Sequence, residues 1–235
     1  VQTTYTSTNT HPAATGARWE RLTLASGAVA ASMFLAGAIL FIGFVAPSMP
    51  AMDAKPAEQV AFYALQAGNP IYRLVSFLGE AQMPFLLLFF SGLLGVLRRA
   101  ERGEGVLSTA VFAAGIAIAV IAPFAIMIED HLLLGMATSP IDPWVVRSFD
   151  GIGPVAFGLS GYPQAVVLLG TAALLGRQLP RWITWLGLAT AAICVVACGT
   201  PVVGQLFPFA ALSTLLFRVW LLALSISLVR RVGAA

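Results

Sequence analysis

The sequence predicts an all-α polytopic membrane bundle, and three observations carry that prediction. Of the 235 residues, 59% are hydrophobic and only 10% are charged, against roughly 25% charged in soluble domains. Mean hydropathy is +0.89. The apolar residues fall into six runs, each near or above the ~20 residues that carry a helix across about 30 Å of hydrocarbon. No run alternates apolar with polar residues, which excludes a β-barrel. Helices satisfy their own backbone polar groups in lipid, so a helical bundle remains.

Residues 1–20 read as a disordered cytoplasmic tail, because "VQTTYTSTNTHPAATGA" is rich in Thr, Ser and Ala and has no apolar run. It lacks the charged n-region of a signal peptide. A single membrane domain is expected over residues 21–231, with transmembrane helices at about 22–46, 71–97, 105–136, 152–176, 181–203 and 209–229. The loop after the first helix contains "PAEQVAFYALQAGNP", which reads as a short amphipathic external helix between helices 1 and 2. Pro56 suits its first turn, Val60, Tyr63, Ala64 and Ala67 share a face, and Gly68 suits its stop. Such a helix lies on the membrane surface or caps the bundle. The second and fourth helices, "FLGEAQMPFLLLFFSGLLG" and "FGLSGYPQAVVLLGTAALLG", share a polar centre, a Pro and a small-residue exit. That likeness is compatible with a duplicated hairpin.

Basic residues set the orientation. Arg18, Arg21, Arg98, Arg99, Arg102, Arg177, Arg181, Arg230 and Arg231 flank one side, and Lys55, Arg73 and Arg147 the other. The positive-inside rule then places both termini in the cytoplasm of a multi-pass protein, expected in the bacterial cytoplasmic (inner) membrane. The pI near 9.2 follows from these loops, so nucleic acid is not an expected partner. The lipid bilayer is, and a homo-oligomer or a membrane complex stays open. Cys194 and Cys198 form CxxxC with no further cysteine to complete a zinc site, and they read as small buried hydrophobes.

Several chemistries are excluded. No lysine lies in a helix to form a retinal Schiff base. His11 sits in the tail, which leaves His131 alone and rules out bis-histidine haem. Walker, GxGxxG, HExxH and GxSxG motifs are missing. Carboxylates with one imidazole can ligate a metal, but the spacing of Glu80, Glu129, His131 and Asp150 does not require one. No cofactor and no metal are expected.

What remains are ionisable groups in apolar surroundings, which usually face a bundle interior or a wet cavity. At 1.5 Å per residue, Glu80 and Arg218 each lie about 14 Å from the outer ends of their helices. They are expected to pair near the midplane, either as a structural tie or as part of a site. "MIEDHLLLG" lies about 36 Å along the third helix. Glu129, Asp130 and His131 therefore belong at the outer interface, level with Arg73, Arg147 and Asp150. Either they rim a pocket or they are a solvated helix end. The expectation is an outward-opening polar funnel with that rim and a floor of Glu80, Arg218, Tyr162 and Gln164. Glu80, Glu129, Asp130 and His131 are the candidates for acid–base catalysis. Arg218, Tyr162, Gln164, Asp150 and Arg73 are the candidates for ligand binding.

The stretches "FYALQAGNPIYRLVSFLGEAQMPFLLLFFSGLLGVLRRAERG", "LLGRQLPRWITWLGLATAA" and "VWLLALSISLVRR" resemble an uncharacterised bacterial six-helix integral membrane family, a domain of unknown function. The resemblance covers most of residues 20–231. It implies fold and topology and supplies no activity. Glu80 matches that family's acid in helix 2, and Glu129 an acid in helix 3. Members often carry another acid early in helix 6, where this chain reads "LSTLLFRVW" with Arg218.

The functional expectation is a membrane protein that binds a small amphipathic or lipid-like ligand in the outward-facing pocket. One alternative is a membrane-embedded acid–base enzyme, of isomerase, cyclase or epoxide-opening type, on a lipophilic substrate. Another is an accessory subunit of a membrane complex, or a small transporter. The sequence has no clear inverted repeats to favour independent transport.

Overall fold

A computed structural model describes residues 12–51, 54–139 and 142–232, and the side chains of residues 12–15, Ala122 and Glu129 lie outside the described residues. All described regular structure is helical. In chain order the α-helices are α1 (Pro12–Leu40), α2 (Pro56–Gln66), α3 (Pro70–Ala81), α4 (Met83–Glu101), α5 (Val106–Ala137), α6 (Pro143–Asp150), α7 (Ile152–Leu159), α8 (Gly161–Leu175), α9 (Arg181–Ala197) and α10 (Phe207–Val232). α1 runs on into a π-helical segment, Phe41–Val45, and a 3₁₀ turn, Ala46–Ser48. α1 begins at Pro12, so residues 12–20 are helical where a disordered tail was expected. Residues 1–11 lie outside the described residues.

Five helical stretches are long and apolar enough to cross a membrane: Gly16–Ser48, Pro70–Glu101, Val106–Ala137, Pro143–Leu175 and Gly204–Val232. The fifth expected span is shorter. α9 has 17 residues, about 26 Å at 1.5 Å per residue. It ends at Ala197 rather than 203 because Gly199 and Pro201 follow, and Pro201 cannot continue a helix.

The five long stretches and α9 close into a ring in sequence order. α1 lies against α4, α4 against α5, α5 against α8, α8 against α9, and α9 against α10, which returns to α1. Short loops make consecutive neighbours antiparallel. The Arg99 guanidinium pairs with Glu20, tying the exit of α4 to the entry of α1. The basic loops therefore share one end of the ring.

Glycines set the seams. A methyl group on Gly27 of α1 would lie 2.3 Å from the Phe89 ring of α4, and one on Gly115 of α5 would lie 2.3 Å from the Phe90 ring. On α8, Gly170 faces Val111 of α5 at 2.3 Å, and on α9, Gly187 faces the Trp220 indole of α10 at 2.8 Å. Such small-against-large contacts let helices approach where lipid gives no hydrophobic drive for association. The α1–α10 seam has a different tie: the Ser225 hydroxyl donates to the Leu24 carbonyl. This half of the bundle holds the main core, built around Leu24, Leu86, Phe89, Phe90, Leu168 and Phe217.

Two of the long segments are broken at mid-length. The second is interrupted at Gln82, between α3 and α4, just before Pro84. The fourth is interrupted at Ser160, between α7 and α8, just before Pro163. A proline has no N–H to offer the carbonyl four residues back, and it crowds the preceding turn. Side chains also bond backbone beside each break: Gln82 Nε2 donates to the Gly79 carbonyl at 2.8 Å, and Ser160 Oγ to the Phe157 carbonyl at 2.7 Å.

At the end away from the basic loops, α2 and α6 pack on each other and on α5 to form a cap. The short helix expected after the first span is present as α2, but its buried face is Gln59, Phe62, Tyr63 and Gln66. That i, i+3, i+4, i+7 stripe shares only Tyr63 with the expected face. The helix turns its hydrogen-bonding side chains inward because acidic partners lie beneath it. Along the outside, Trp19, Trp182 and Trp185 near the basic end and Trp144 near the cap are all more than half exposed. Exposed tryptophans toward both ends of an apolar exterior fit the multi-pass membrane protein that the five long apolar helices suggest.

Overpacking a close seam costs about 1–3 kcal/mol. Gly115→Ala is therefore expected to lower the thermal midpoint of the purified protein, and Gly115→Leu to prevent stable insertion. Gly135→Ala, with nothing within 4 Å of an added methyl, should leave the midpoint unchanged. Equal midpoints for the two alanine variants would refute the seam assignment.

Candidate functional site

Below the cap is a cavity of about 490 Å³. Along α1 the core residues Leu24, Ala30 and Ala31 give way to cavity residues from Phe34 onward. Along α10, Phe207, Ala211 and Leu215 line the cavity and the core begins at Phe217. The cavity thus separates the glycine-sealed core from a second cluster of Val45, Phe62, Tyr63, Tyr72, Leu133 and Val146. Its walls are mostly apolar and aromatic, including Phe34, Phe41, Phe157 and Phe207. Gly79, in the last turn before the Gln82 break, also lines it.

Two carboxylates line this space, and each is held in the same way. Asp130 of α5 accepts from Tyr72 Oη at 2.6 Å on Oδ1 and from the Ser76 hydroxyl on Oδ2. Asp150 closes α6 and accepts from Tyr63 Oη at 2.6 Å and Gln59 Nε2 at 2.9 Å. Tyr72 and Ser76 are one turn apart on α3, and Gln59 and Tyr63 are one turn apart on α2. A pair at i and i+4 on one helix face therefore clamps a carboxylate from another helix. The two clamps meet around Phe62, whose ring centroid is 5.1 Å from Tyr63 and 6.5 Å from Tyr72, both edge-on.

Local sequence explains the alignment. Asn69 is the N-cap of α3 and Pro70 its first residue. Asn69 Oδ1 accepts from the Ile71 amide at 2.9 Å, while Nδ2 donates to Gln66 Oε1 at 2.7 Å. One side chain thus starts α3 and anchors the end of α2, fixing both tyrosines relative to each other. Arg147 of α6 also lines the cavity, and its Nη1 donates to the Ala54 carbonyl at 3.2 Å.

Of the residues singled out from sequence, Asp130 and Asp150 meet in the cavity. Arg147 lines it with them, and Glu80, His131, Arg73, Tyr162 and Gln164 do not. Glu80 lies 3.4 Å from His131 Nε2, off the cavity, and the His131 side chain is 71% exposed. Arg73 is exposed and donates to the Ala67 carbonyl at 2.6 Å. Tyr162 is 59% exposed on the outer surface. Gln164 is buried, donates to Ser160 Oγ at 3.1 Å and accepts from Cys194 Sγ at 3.5 Å, bracing α8 against α9. The Glu129 side chain lies outside the described residues.

The expected Glu80–Arg218 pair does not form. Each lies 10 or 11 residues into its helical stretch, from Pro70 and Phe207, but α1 stands between α10 and the α3–α4 segment. Arg218 is 1% exposed, and its Nε and Nη1 have no hydrogen-bond partner among the described residues. Its guanidinium lies 4.8 Å from the Phe34 ring centroid and 5.8 Å from that of Phe217. Phe34 also lines the cavity, so Arg218 sits one aromatic layer behind the cavity wall.

Sequence reasoning missed Gln59, Tyr72 and Ser76, and it took Tyr63 for a packing residue. The signal was the polar stripe itself: Gln59, Tyr63 and Gln66 along α2, then Tyr72, Ser76 and Gly79 along α3, at helical spacing.

No family model, no curated protein and no solved structure matches the chain.

Arg218 decides between two opposing terms. Desolvating a guanidinium costs several kcal/mol even after relaxation, while a desolvated cation–π contact returns about 2 kcal/mol. The expected outcome is that Arg218→Met raises the thermal midpoint in detergent. A lower midpoint would mean that the guanidinium gains more from its surroundings than the two rings supply.

Proposed function

We propose that this chain is an integral membrane protein of six spans with both termini in the cytoplasm, and that its cavity faces away from the cytoplasm and binds a small amphipathic or lipid-like molecule. One observation carries the reading: a 490 Å³ cavity with aromatic walls in which two aspartates are each held by a pair of hydrogen-bond donors. Ligand sites commonly occupy about 300–1,000 Å³ and combine apolar walls with a few oriented polar groups. The apolar walls suit a hydrocarbon or aromatic body, and the clamped carboxylates suit a polar head.

The orientation rests on the basic residues gathered at the end opposite the cap, and that bias suits the bacterial cytoplasmic membrane. For α9 to span, its 17 residues must suffice, which lies at the short end of the range of about 17–25. A second reading, acid–base chemistry on a lipophilic substrate, draws on the same cavity. Of the expected catalytic groups it keeps Asp130, sets aside Glu80 and His131, and adds Asp150, because both aspartates are hydrogen-bonded to a phenol able to relay a proton.

Two experiments test the proposal. Ala211→Trp fills the cavity from α10. Native mass spectrometry of the protein released from mild detergent is expected to show a small-molecule adduct on the parent chain and none on Ala211→Trp. Equal adducts on both would refute binding in this cavity. For topology, Cys194 and Cys198 are replaced by Ala, and single cysteines are placed at Ser139, near the cap, and at Glu104, in the basic loop. A membrane-impermeant maleimide should label intact cells at position 139 and not at 104, and the reverse pattern would invert the orientation.

A further inference from the structure

The chemistry of the cavity narrows its occupant. Resting on the binding role proposed above, we infer that the ligand is an organic cation, an ammonium that carries at least one N–H on an apolar body.

Three observations converge. Asp130 and Asp150 are held by Tyr72, Ser76, Tyr63 and Gln59. Those donors are neutral: they orient the carboxylate oxygens without adding positive charge. Neither aspartate makes an ion pair among the described residues. Among the described lining residues Arg147 is the basic side chain, so two acids stand against one base and that part of the wall is net negative.

The second observation is Gln59. It is 2% exposed and lines the cavity. Its Nε2 is committed to Asp150, which fixes which way the amide is turned. The other end, Oε1, is buried and has no donor among the described residues. A buried acceptor without a donor is costly, and an ammonium N–H is the group that suits both this oxygen and the neighbouring carboxylate. A carboxylate or phosphate ligand would offer Gln59 Oε1 no donor and would face two like charges.

The third is the aromatic wall. Phe34, Phe41, Phe62 and Phe157 line the same space. Phe34 already stacks on Arg218 and suits the apolar body, while an aromatic ring without such a partner can also take a cation. Hydrogen-bond acceptors at the cap end and rings elsewhere match an amine with a hydrocarbon or aromatic tail.

The test uses the full chain in phosphatidylcholine nanodiscs and three probes of equal chain length: decylamine, decanol and decanoate. Binding is read as the shift in thermal midpoint, with Ala211→Trp as the blocked reference. Decylamine is expected to produce its half-maximal shift at a concentration at least tenfold below that of decanol or decanoate. Asp130→Asn and Asp150→Asn should each erase that preference while the decanol response persists. The preference is read in the unaltered chain, so the test survives a variant that fails to fold. Decanol or decanoate acting as well as decylamine, with shifts that Ala211→Trp abolishes, overturns the cation assignment and leaves the binding role standing. If no probe gives a shift that Ala211→Trp abolishes, both fail. Nanodiscs doped with phosphatidylethanolamine separate two sources of the same headgroup chemistry. Loss of the decylamine shift there assigns the cavity to a lipid ammonium headgroup, and an unchanged shift assigns it to a free amine.

Discussion

The close approach of the helices in one half of the bundle is the constraint on which the rest depends. In lipid there is no water to drive helices together, so contact surface and complementary shape must do it. Gly27, Gly115, Gly170 and Gly187 each receive a larger side chain from the next helix, and the ring seals around the Phe89–Phe90 core. None of these four contacts reaches the capped half. There the chain instead departs from straight helices: the π segment Phe41–Val45, the break at Gln82 and the break at Ser160. Phe41, Gly79 and Phe157, beside those irregularities, all line the cavity. A bundle sealed along its whole length would have no room there, and one without the seams would have no frame to hold the cavity open.

The cap follows from the acids. A carboxylate removed from water costs several kcal/mol, and a hydrogen bond to a charged group returns about 1.5–3 kcal/mol. Two such bonds per aspartate bring the balance close to even. One set of donors comes from α2, which is why an otherwise peripheral helix turns Gln59 and Tyr63 inward rather than floating on the membrane surface. Asn69 makes this economical by joining the end of α2 to the start of α3. The cap and the site are therefore one structure: loosening α2 would uncover the cavity and unclamp Asp150 together.

Much of the architecture was legible in the sequence. Apolar run lengths gave the long helices, Pro56 and Gly68 bounded the external helix, and the "MP" and "YP" steps lie at the two mid-membrane breaks. Counting 1.5 Å per residue along the third helix put Asp130 toward the end away from the basic loops, and there it lines one cavity with Asp150. Azimuth was not legible. Residues at equal depth meet only if their helices are neighbours and their faces converge, and ring order is a property of packing rather than of any one segment. Glu80 and Arg218 show the cost of that gap: their counted depths agree and α1 stands between them. His131 differs from Asp130 by about 100° of helix rotation, which is enough to carry it from the cavity wall to the outer surface beside Glu80. The polar stripes on α2 and α3 were visible as i, i+4 pairs, but the prior for an interfacial helix favours an apolar buried face, and that prior concealed them.

The position of Arg218 bears on how an occupant would lie. The guanidinium stacks behind Phe34, at the deep side of the cavity, while Asp130 and Asp150 sit at the cap side. In a low-dielectric interior unscreened charges act over long distances. A positive charge behind the floor and two negative charges beneath the cap polarise the space along the bundle axis. An ammonium head is drawn toward the cap and repelled from the floor, leaving the apolar body against Phe34, Ala211 and Leu215. The same field offers a reason for retaining a costly buried arginine with no counter-ion among the described residues. An apolar residue at position 218 would pack at lower cost, but it would leave the two ends of the cavity less distinct.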